Sequence, residues 1–452
     1  MKSAAIHQYS KIAIWFFLLI IHLTSLPPAF GDENTQSSIW TSFQENWSPK
    51  LDIDVWGAYY YEDSTLEPEE VGLTGNATLE LSKDLGRGLM LRIDPKVNAA
   101  PLNTGGVRLF VEDQEDKPIF TLNEAFLAWY GETTEIEVGK KIYSWKVADG
   151  LSPVDTLNPT DITEPLDVDK IGIPSVSVLK MFELVNIQAV FLPVLVADRS
   201  PPDTSRWTGG ASYVSQSEQT TITNRELPDN WFEKVSVASK ISSSTLLPGW
   251  DLAAIYRYGY SSRGVVQIDF DELSSSAVVK NMEYPAYNLF GFTFSTAWSD
   301  IVGHGEAALY DTRDNAKGED YLSYILGVTY TNYRWMADLF DEIGFIMEYA
   351  GEAVLKEREA DSSYLDPSTS RGLSDNIIGS IDVKINEDHI VETAFTYNVT
   401  NEDSVFDFKG RSRLNDHLQV VYGYQILSGD SASFLGQWDA NDRFYMEMAI
   451  TY

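Results

Sequence analysis

Strict alternation of apolar and polar residues is the feature of this chain that most restricts its fold. The last ten residues, RFYMEMAITY, place Phe444, Met446, Met448, Ile450 and Tyr452 at every second position. Successive side chains of a β-strand point to opposite faces, so these five residues share one face of a strand. Segments with the same period recur along the chain, among them KLDIDVWGAYYYE, NATLELS, GLMLRID, DLAAIYRYGY, IIGSIDVKI and HLQVVYGYQI. Together they predict an all-β fold, a transmembrane antiparallel β-barrel.

The links between these segments differ in length. DLGRG, GETT, NED and LND are compact, whereas residues 198–229, 261–276, 353–374 and 428–441 are long and polar. Short periplasmic turns and long outer loops produce this rhythm in outer-membrane barrels, and the pattern predicts about 18 strands, with 16 as the alternative. Aromatic residues near strand ends, including Tyr59, Tyr60 and Tyr61, fit the girdles at the two membrane interfaces. The barrel is expected over residues 50–452.

The beginning of the chain has the pattern of a targeting segment. Residues 1–31 carry Lys2 and Lys11, the apolar run IAIWFFLLIIHL and then LPPAFG, which predicts a secretory signal peptide. The polar residues 32–49 are expected to form a short periplasmic lead-in. No later stretch approaches the roughly 20 apolar residues that a membrane-spanning helix needs. A closed barrel then remains as the way to pair every backbone polar group within lipid.

Charge and motif content narrow the function. The net charge is -34, and it becomes about -36 once the signal is removed, with 31 Lys and Arg against 67 Asp and Glu. Such a chain repels nucleic acid. It has no cysteine and no HExxH, GxSxG or phosphate-binding loop, so we expect no enzymatic activity, no cofactor and no metal site. His304 and Glu306 share a strand face in GHGEAALYD, which leaves a hydrolase as a minor alternative.

The passage DGLSPVDTLNPTDITEPLDVDK, residues 149–170, interrupts the alternation. Pro153, Pro159 and Pro165 lack amide donors, which argues against another strand here. The passage falls between the fifth and sixth predicted strands. It therefore predicts a long third outer loop at residues 146–174, stiff enough to constrict a pore.

The same region resembles poorly characterised Gram-negative outer-membrane β-barrels of the porin-like and export types. The resemblance rests on a strand ending in Trp145, the run from Asn158 to Asp161 (Asn-Pro-Thr-Asp), and a strand that starts after a proline in DKIGIPSVSV. It covers residues 136–195 and is architectural elsewhere. It implies location in the cell outer membrane of a Gram-negative bacterium, and it implies no substrate. The terminal strand, residues 443–452, resembles the signal that the barrel assembly machinery reads.

These features together predict a channel. A barrel of about 18 strands encloses an aqueous lumen unless something fills it, so we expect passage of small polar or cationic solutes. Candidates for the constriction are an acidic set opposed by lysines, with a tryptophan beside them, which would set a transverse field. They are Asp149, Asp155, Asp161, Asp167, Asp169, Lys140, Lys141, Lys146 and Trp145.

Two other interpretations stay open. The acidic passage could be a solvated surface loop, and the barrel could be a structural or export-complex protein that acts with periplasmic partners. The expected contacts outside the chain are outer-membrane lipid and lipopolysaccharide. Divalent cations could bind acidic loops such as residues 62–70 and 112–117 through hard oxygen ligands.

Overall fold

A computed structural model describes residues 47–62, 71–99, 105–109, 117–201, 205–208, 224–226, 234–271, 276–333, 339–359, 372–431 and 433–452, and the statements below concern these residues. The predicted signal peptide, the lead-in up to residue 46, and most of the acidic segments 62–70 and 112–117 lie outside them. Within the described part of the chain, no helix is long and apolar enough to cross a membrane.

Eighteen strands form one antiparallel sheet that closes on itself. Each strand pairs with the next along the chain, and the last returns to the first, with Asp52 opposite Thr451 and Tyr60 opposite Arg443. The predicted 18-stranded barrel is confirmed, and the alternative of 16 strands is wrong. The strands are β1 (Ser48–Tyr60), β2 (Val71–Gly86), β3 (Leu89–Ala99), β4 (Pro118–Tyr130), β5 (Thr134–Lys141), β6 (Ile173–Met181), β7 (Asn186–Leu192), β8 (Ser236–Ser243), β9 (Trp250–Tyr260), β10 (Ala286–Trp298), β11 (Ile301–Thr312), β12 (Asp320–Asn332), β13 (Glu342–Lys356), β14 (Asn376–Asn386), β15 (His389–Asn398), β16 (Ser404–Arg413), β17 (Leu418–Ser428) and β18 (Arg443–Thr451).

Short elements accompany the barrel. Gly105–Arg108 lies parallel to the start of β4. The two-residue strands Thr160–Asp161 and Asp169–Lys170 pair with each other. Asn224–Glu226, Val265–Asp271 and Ser276–Glu283 form a separate three-stranded sheet, and Gly436–Asn441 is a 3₁₀ helix before β18.

The side chains of the wall alternate between an apolar outer surface and a mostly polar inner surface. On β18, Phe444, Met446 and Met448 are exposed on the outside, whereas Arg443 is buried inside. This alternation also corrects one expectation about the girdle. Tyr59 and Tyr61 are exposed with their rings 6.4 Å apart, but Tyr60 between them points inward and is buried.

The lengths of the links place short turns at one end of the barrel and long loops at the other. The tight turn between β2 and β3 has a positive φ at Gly86, Arg87 and Gly88, which suits the two glycines. Residues 142–172, between β5 and β6, are the third of the long loops. The predicted bounds of 146–174 were wrong by four residues at the start and by two at the end, where Pro174 already pairs within β6. Although KKIY continues the alternation, the Ile142 amide donates to the Glu124 side chain and not to a neighbouring strand.

Candidate functional site

Residues 142–172, called the lumen loop below, fold into the barrel. Tyr310 on β11 donates from its hydroxyl to the Pro153 carbonyl at 2.7 Å. Thr329 on β12 donates to the Asp149 carboxylate at 3.2 Å. Both partners lie on strands far along the wall from β5 and β6, where the loop begins and ends. The lumen loop therefore crosses the interior and narrows it.

An apolar base fixes the central part of the lumen loop to the wall. Tyr143, Trp145, Val154 and Leu157 are buried against inward-facing side chains of the barrel. Burying each such side chain contributes about 1.5–3 kcal/mol. The Trp145 indole also donates to Gln188 on β7 at 3.0 Å. The wall residues of this base are Val190, Leu192, Ile255, Leu289 and Ala308.

Asn158 closes the neck of the lumen loop. Its side-chain oxygen accepts the Tyr143 amide at 2.7 Å, and its amide donates to the carbonyls of Lys141 and Ile171, both at 2.9 Å. One buried side chain thus joins the point where β5 ends to the point where β6 is about to begin. The Asn-Pro-Thr-Asp run that the sequence singled out starts with a structural residue.

Asp161, at the end of that run, ties the lumen loop to neighbouring loops. Its carboxylate contacts the Arg199 guanidinium at 2.6 Å and the Lys117 ammonium at 3.5 Å, and it accepts the Thr163 hydroxyl at 2.7 Å. Burial alone would raise the pKa of Asp161, but Lys117 and Arg199 hold that pKa below its ordinary value. Asp161 therefore stays ionised as part of a buried ion pair.

The tip of the lumen loop, residues 146–152, is held by two carboxylates of the wall. Glu306 on β11 accepts the amides of Val147 and Ala148, the second at 2.9 Å, and the hydroxyl of Ser152. Glu348 on β13 accepts the amides of Asp149 at 2.8 Å and Gly150 at 3.0 Å. Hydrogen bonds to ionised acceptors contribute about 1.5–3 kcal/mol each. We call Glu306 and Glu348, together with His304, the carboxylate clamp.

A glycine on β12, Gly327, leaves the room that the clamp needs. His304 on β11 and Glu348 on β13 lie in one cross-strand row on either side of Gly327. The His304 Nε2 and Glu348 Oε1 atoms meet at 2.8 Å across it. A Cβ at Gly327 would lie 2.3 Å from His304 Nε2, so any larger residue would separate the pair.

The clamp is best described as a hydrogen-bonded anchor. One ligand-type atom each from Asp149, His304 and Glu348 lie within 4.8 Å of one another. However, the Glu348 oxygens already accept two loop amides and face His304. The Ser152 hydroxyl donates to Glu306 and not to His304, so the pair considered for hydrolysis has no serine aligned with its histidine among the described residues.

The later part of the lumen loop is attached to the other side of the barrel. Glu164 forms an ion pair at 2.6 Å with Arg443 on β18, which is buried beside the rings of Trp56 and Trp207. Asp169 contacts Lys96 on β3 at 3.1 Å. The lumen loop is therefore fixed to β11–β13 at its tip and to β18 and β3 at its far end.

Beyond Glu164 and before Lys170, the lumen loop presents carboxylates to the lumen. Asp167 is exposed and has no ion pair among the described residues, and Glu447 on β18 interacts through space with both Asp167 and Asp54 on β1. Although Asp167 is open to water, surrounding protein and the charges of Glu164 and Asp169 raise its pKa. This acidic stripe gives the open side of the lumen a negative potential.

Basic residues of the wall on the open side are paired with acids. Lys409 and Arg411 on β16 both contact Glu392 on β15. Arg92 on β3 contacts Asp94 at 2.8 Å, with two glutamates also within 4 Å. These basic side chains are shared with other acids, and Lys409 and Arg411 also act on Glu447 through space, so they offset the acidic stripe only in part.

The residues predicted to form the constriction fall into three groups: exposed residues of the lumen loop, bound or buried residues of the same loop, and two lysines at the end of β5. Asp149, Asp167, Asp169 and Lys146 are exposed on the lumen loop. Asp155 is bound to Lys170 and Asp161 to Arg199, while Trp145 is buried in the apolar base. These three residues shape the loop and do not line an opening.

The expected opposition of lysines and acids across the pore was wrong. Lys140 is fully buried and donates towards Thr121. Lys141 pairs with Glu137 on its own strand, and Lys146 donates to the carbonyls of Asp149 and Gly150 in the tip. Each lysine is close in sequence or in the sheet to the acids or carbonyls it contacts, so none is available to face Asp167.

Sequence reasoning paired His304 with Glu306, but only as a minor hydrolase alternative, and it missed Glu348 and the acids of the terminal strands. Glu348 stands among apolar residues in FIMEYA, and Glu447 stands among them in FYMEMAI. An isolated acid at an inward position of an otherwise apolar segment was the available signal. Its partner was not visible, because the partners are backbone amides about 150 to 200 positions away, Ala148 for Glu306 and Asp149 for Glu348.

Comparisons with known proteins give likenesses of fold only. No protein-family model matches the chain, and no curated protein matches it in sequence. OccK11 (OpdR) of Pseudomonas aeruginosa superposes with a TM-score of 0.49 at 9% identity, over 91% of this chain and 96% of that one. OccAB2 of Acinetobacter baumannii gives 0.48 at 12% identity, over 89% and 98%. OmpT, an outer membrane protein of Vibrio cholerae, gives 0.41 at 8% identity, over 90% and 97%.

The assignment of the architecture rests on the barrel itself. A closed sheet pairs its strands all round, and its outer surface is apolar on strand after strand. Within lipid only helices and closed barrels satisfy their backbone polar groups. The chain has the architecture of a Gram-negative outer-membrane β-barrel.

Proposed function

We propose that this protein is an outer-membrane channel that passes small polar solutes and prefers cations. The observation that supports this best is the acidic stripe of Asp54, Asp167 and Glu447 beside a loop that crosses the lumen. Rings of acidic side chains in a narrow aqueous passage favour cations, because low-dielectric walls concentrate their field. The lumen loop supplies the narrowing, and its attachments on two sides keep the narrowing in place.

Planar-bilayer recording of the purified full-length barrel tests this proposal. We expect discrete conductance steps and, in a potassium chloride gradient, a reversal potential on the cation-selective side. The Asp167→Asn/Asp169→Asn variant should be less cation-selective, since it removes two lumen charges and releases Lys96 from its ion pair. Asp439→Asn, at an exposed acid of the 3₁₀ helix before β18, is the matched control and should leave selectivity unchanged.

Two results would decide against the proposal. Unchanged selectivity in the double variant would count against the acidic stripe as its basis, since Asp167 is the exposed member of the stripe. Absence of conductance in folded wild type, together with a stoichiometric partner that co-purifies, would favour the alternative of a structural or export-complex barrel.

A further inference from the structure

The tip of the lumen loop is held differently from the rest of the loop. Residues 153–159 are mostly buried in the apolar base and the neck, whereas Lys146, Asp149, Gly150 and Leu151 are exposed. Within the tip, Ala148 alone is buried, in a small cluster with Ile325 and Ala350. The remaining attachment of the tip consists of hydrogen bonds to Glu306 and Glu348 and the contact of Asp149 with Thr329.

Both main acceptors of this attachment are titratable. An ionised carboxylate accepts several N–H bonds strongly, and it loses charge and an acceptor site when it takes up a proton. Loop amides that lose these partners can be satisfied by lumen water once the tip leaves the wall, because most of the tip is already exposed and only Ala148 is buried. The base and the neck depend on such acceptors less, because Asn158 and the buried apolar side chains hold them without titrating, although Asp155 accepts the Trp145 amide and Glu124 accepts the Ile142 amide.

Other charged groups face the clamp from each element around it. His304 on β11 is in contact with Glu348, and Asp149 and Lys146 lie in the tip itself. Lys240 on β8 interacts with Glu306 and Asp155 through space. Glu352 on β13 acts through space on the Tyr310 hydroxyl of β11, which holds the Pro153 carbonyl beside the tip. His304 and Lys240 both favour ionised glutamates, so the clamp is closed at neutral pH.

We propose that the carboxylate clamp is a proton-operated latch, which holds residues 146–152 against β11–β13 at neutral pH and releases them in acid, so that the lumen widens. This inference rests on the proposed channel function and adds regulation to it. Release does not require the base of the loop to move. Release is expected only in acid, because the contacts with His304 and the loop amides favour the ionised carboxylates.

Distance measurement between spin labels tests the latch without relying on conductance. The chain has no cysteine, so Leu151→Cys in the tip and Asn401→Cys in the exposed turn between β15 and β16 give two unique label sites. We expect one narrow distance at pH 7 and a broad, shifted distribution once the pH has fallen below the ordinary carboxylate range, about pH 4. Glu306→Gln/Glu348→Gln should show the broad distribution already at pH 7. Glu392→Gln removes a lumen carboxylate that does not contact the tip and should behave as wild type.

Conductance then tests whether the latch controls the pore. Unit conductance should rise in acid for wild type but not for Ala148→Cys/Ala350→Cys, whose disulfide would tie the tip to β13 within one buried cluster. Heat-modifiable migration in gels confirms that each variant is folded. A distance distribution that is unchanged in acid and in the double glutamine variant would overturn the latch and leave the channel standing. Movement of the tip in a barrel that never conducts would support the latch and overturn the channel.

Discussion

Chemically identical acids of the lumen loop are used in different ways. Asp155 and Asp161 are bound by Lys170 and Arg199 and serve as structural ions. Asp167, a few residues further on, has no such partner among the described residues and faces the lumen. The difference shows in the pKa, which counter-charges keep low for Asp161 and which the surrounding protein and neighbouring acids raise for Asp167. Partners decide the role of each acid.

The raised pKa of Asp167 predicts a pH dependence of selectivity. A carboxyl group with a raised pKa takes up its proton at a higher pH than a free aspartic acid, so its charge disappears first as the pH falls. Cation preference should therefore begin to decline above the pH range in which ordinary aspartates titrate, about pH 4. Reversal potentials recorded from pH 7 to pH 4 measure the decline in cation preference. Asp167→Asn should remove the early part of the decline. A variant whose selectivity changes with pH in the same way as wild type would contradict the role of Asp167.

Within the lumen loop, a single amide side chain organises the element. Asn158 joins both ends of the loop through three hydrogen bonds, and Pro159 beside it accepts the Ile171 amide through its carbonyl at 2.8 Å. The prolines correctly indicated that this passage does not add a strand to the barrel. They did not indicate the neck, since the partners of Asn158 lie 13 to 17 positions away.

Removing the Asn158 side chain should loosen the neck. Asn158→Ala leaves three buried backbone groups without their partner, and we expect the free energy of unfolding to fall by about 2–4 kcal/mol. Urea titration in detergent, followed by tryptophan fluorescence, measures the change. Asn415→Ala is the control, since Asn415 caps an exposed turn with one bond to the His417 amide. Equal effects of the two substitutions would argue against a special role for Asn158.

At the level of the whole molecule, two roles of the terminal strand have to be distinguished: facing the lipid and acting as the assembly signal. Phe444, Met446 and Met448 face outwards and β18 closes the barrel against β1. The lipid-facing task follows from the structure. The assembly-signal task remains a prediction from the resemblance of the terminal strand.

Matched substitutions separate these two tasks. Phe444→Asn/Met446→Asn/Met448→Asn and Val138→Asn/Val176→Asn/Val178→Asn each replace three exposed apolar residues of the outer surface. If the terminal strand is a signal, the first set should reduce insertion in cells far more than the second, while refolding into detergent suffers similarly. The amount of heat-modifiable barrel in outer-membrane fractions is the measurement. Equal losses in cells would leave β18 as an ordinary wall strand.

Alternation, turn chemistry and the position of the prolines were sufficient to predict a barrel of about 18 strands, with 16 as the alternative, and a long third loop, because strand period and turn residues are local properties of the chain. The placement of that loop depended on contacts between distant residues. Glu306 and Glu348 meet the tip only because the barrel closes, Gly327 leaves room, and the register brings β11–β13 opposite residues 147–150. Burial also removed Lys140 and Asp161 from the predicted pore lining. Which acids face water is a property of the closed structure, since a carboxylate has the same chemistry in the sequence whether or not a counter-charge reaches it.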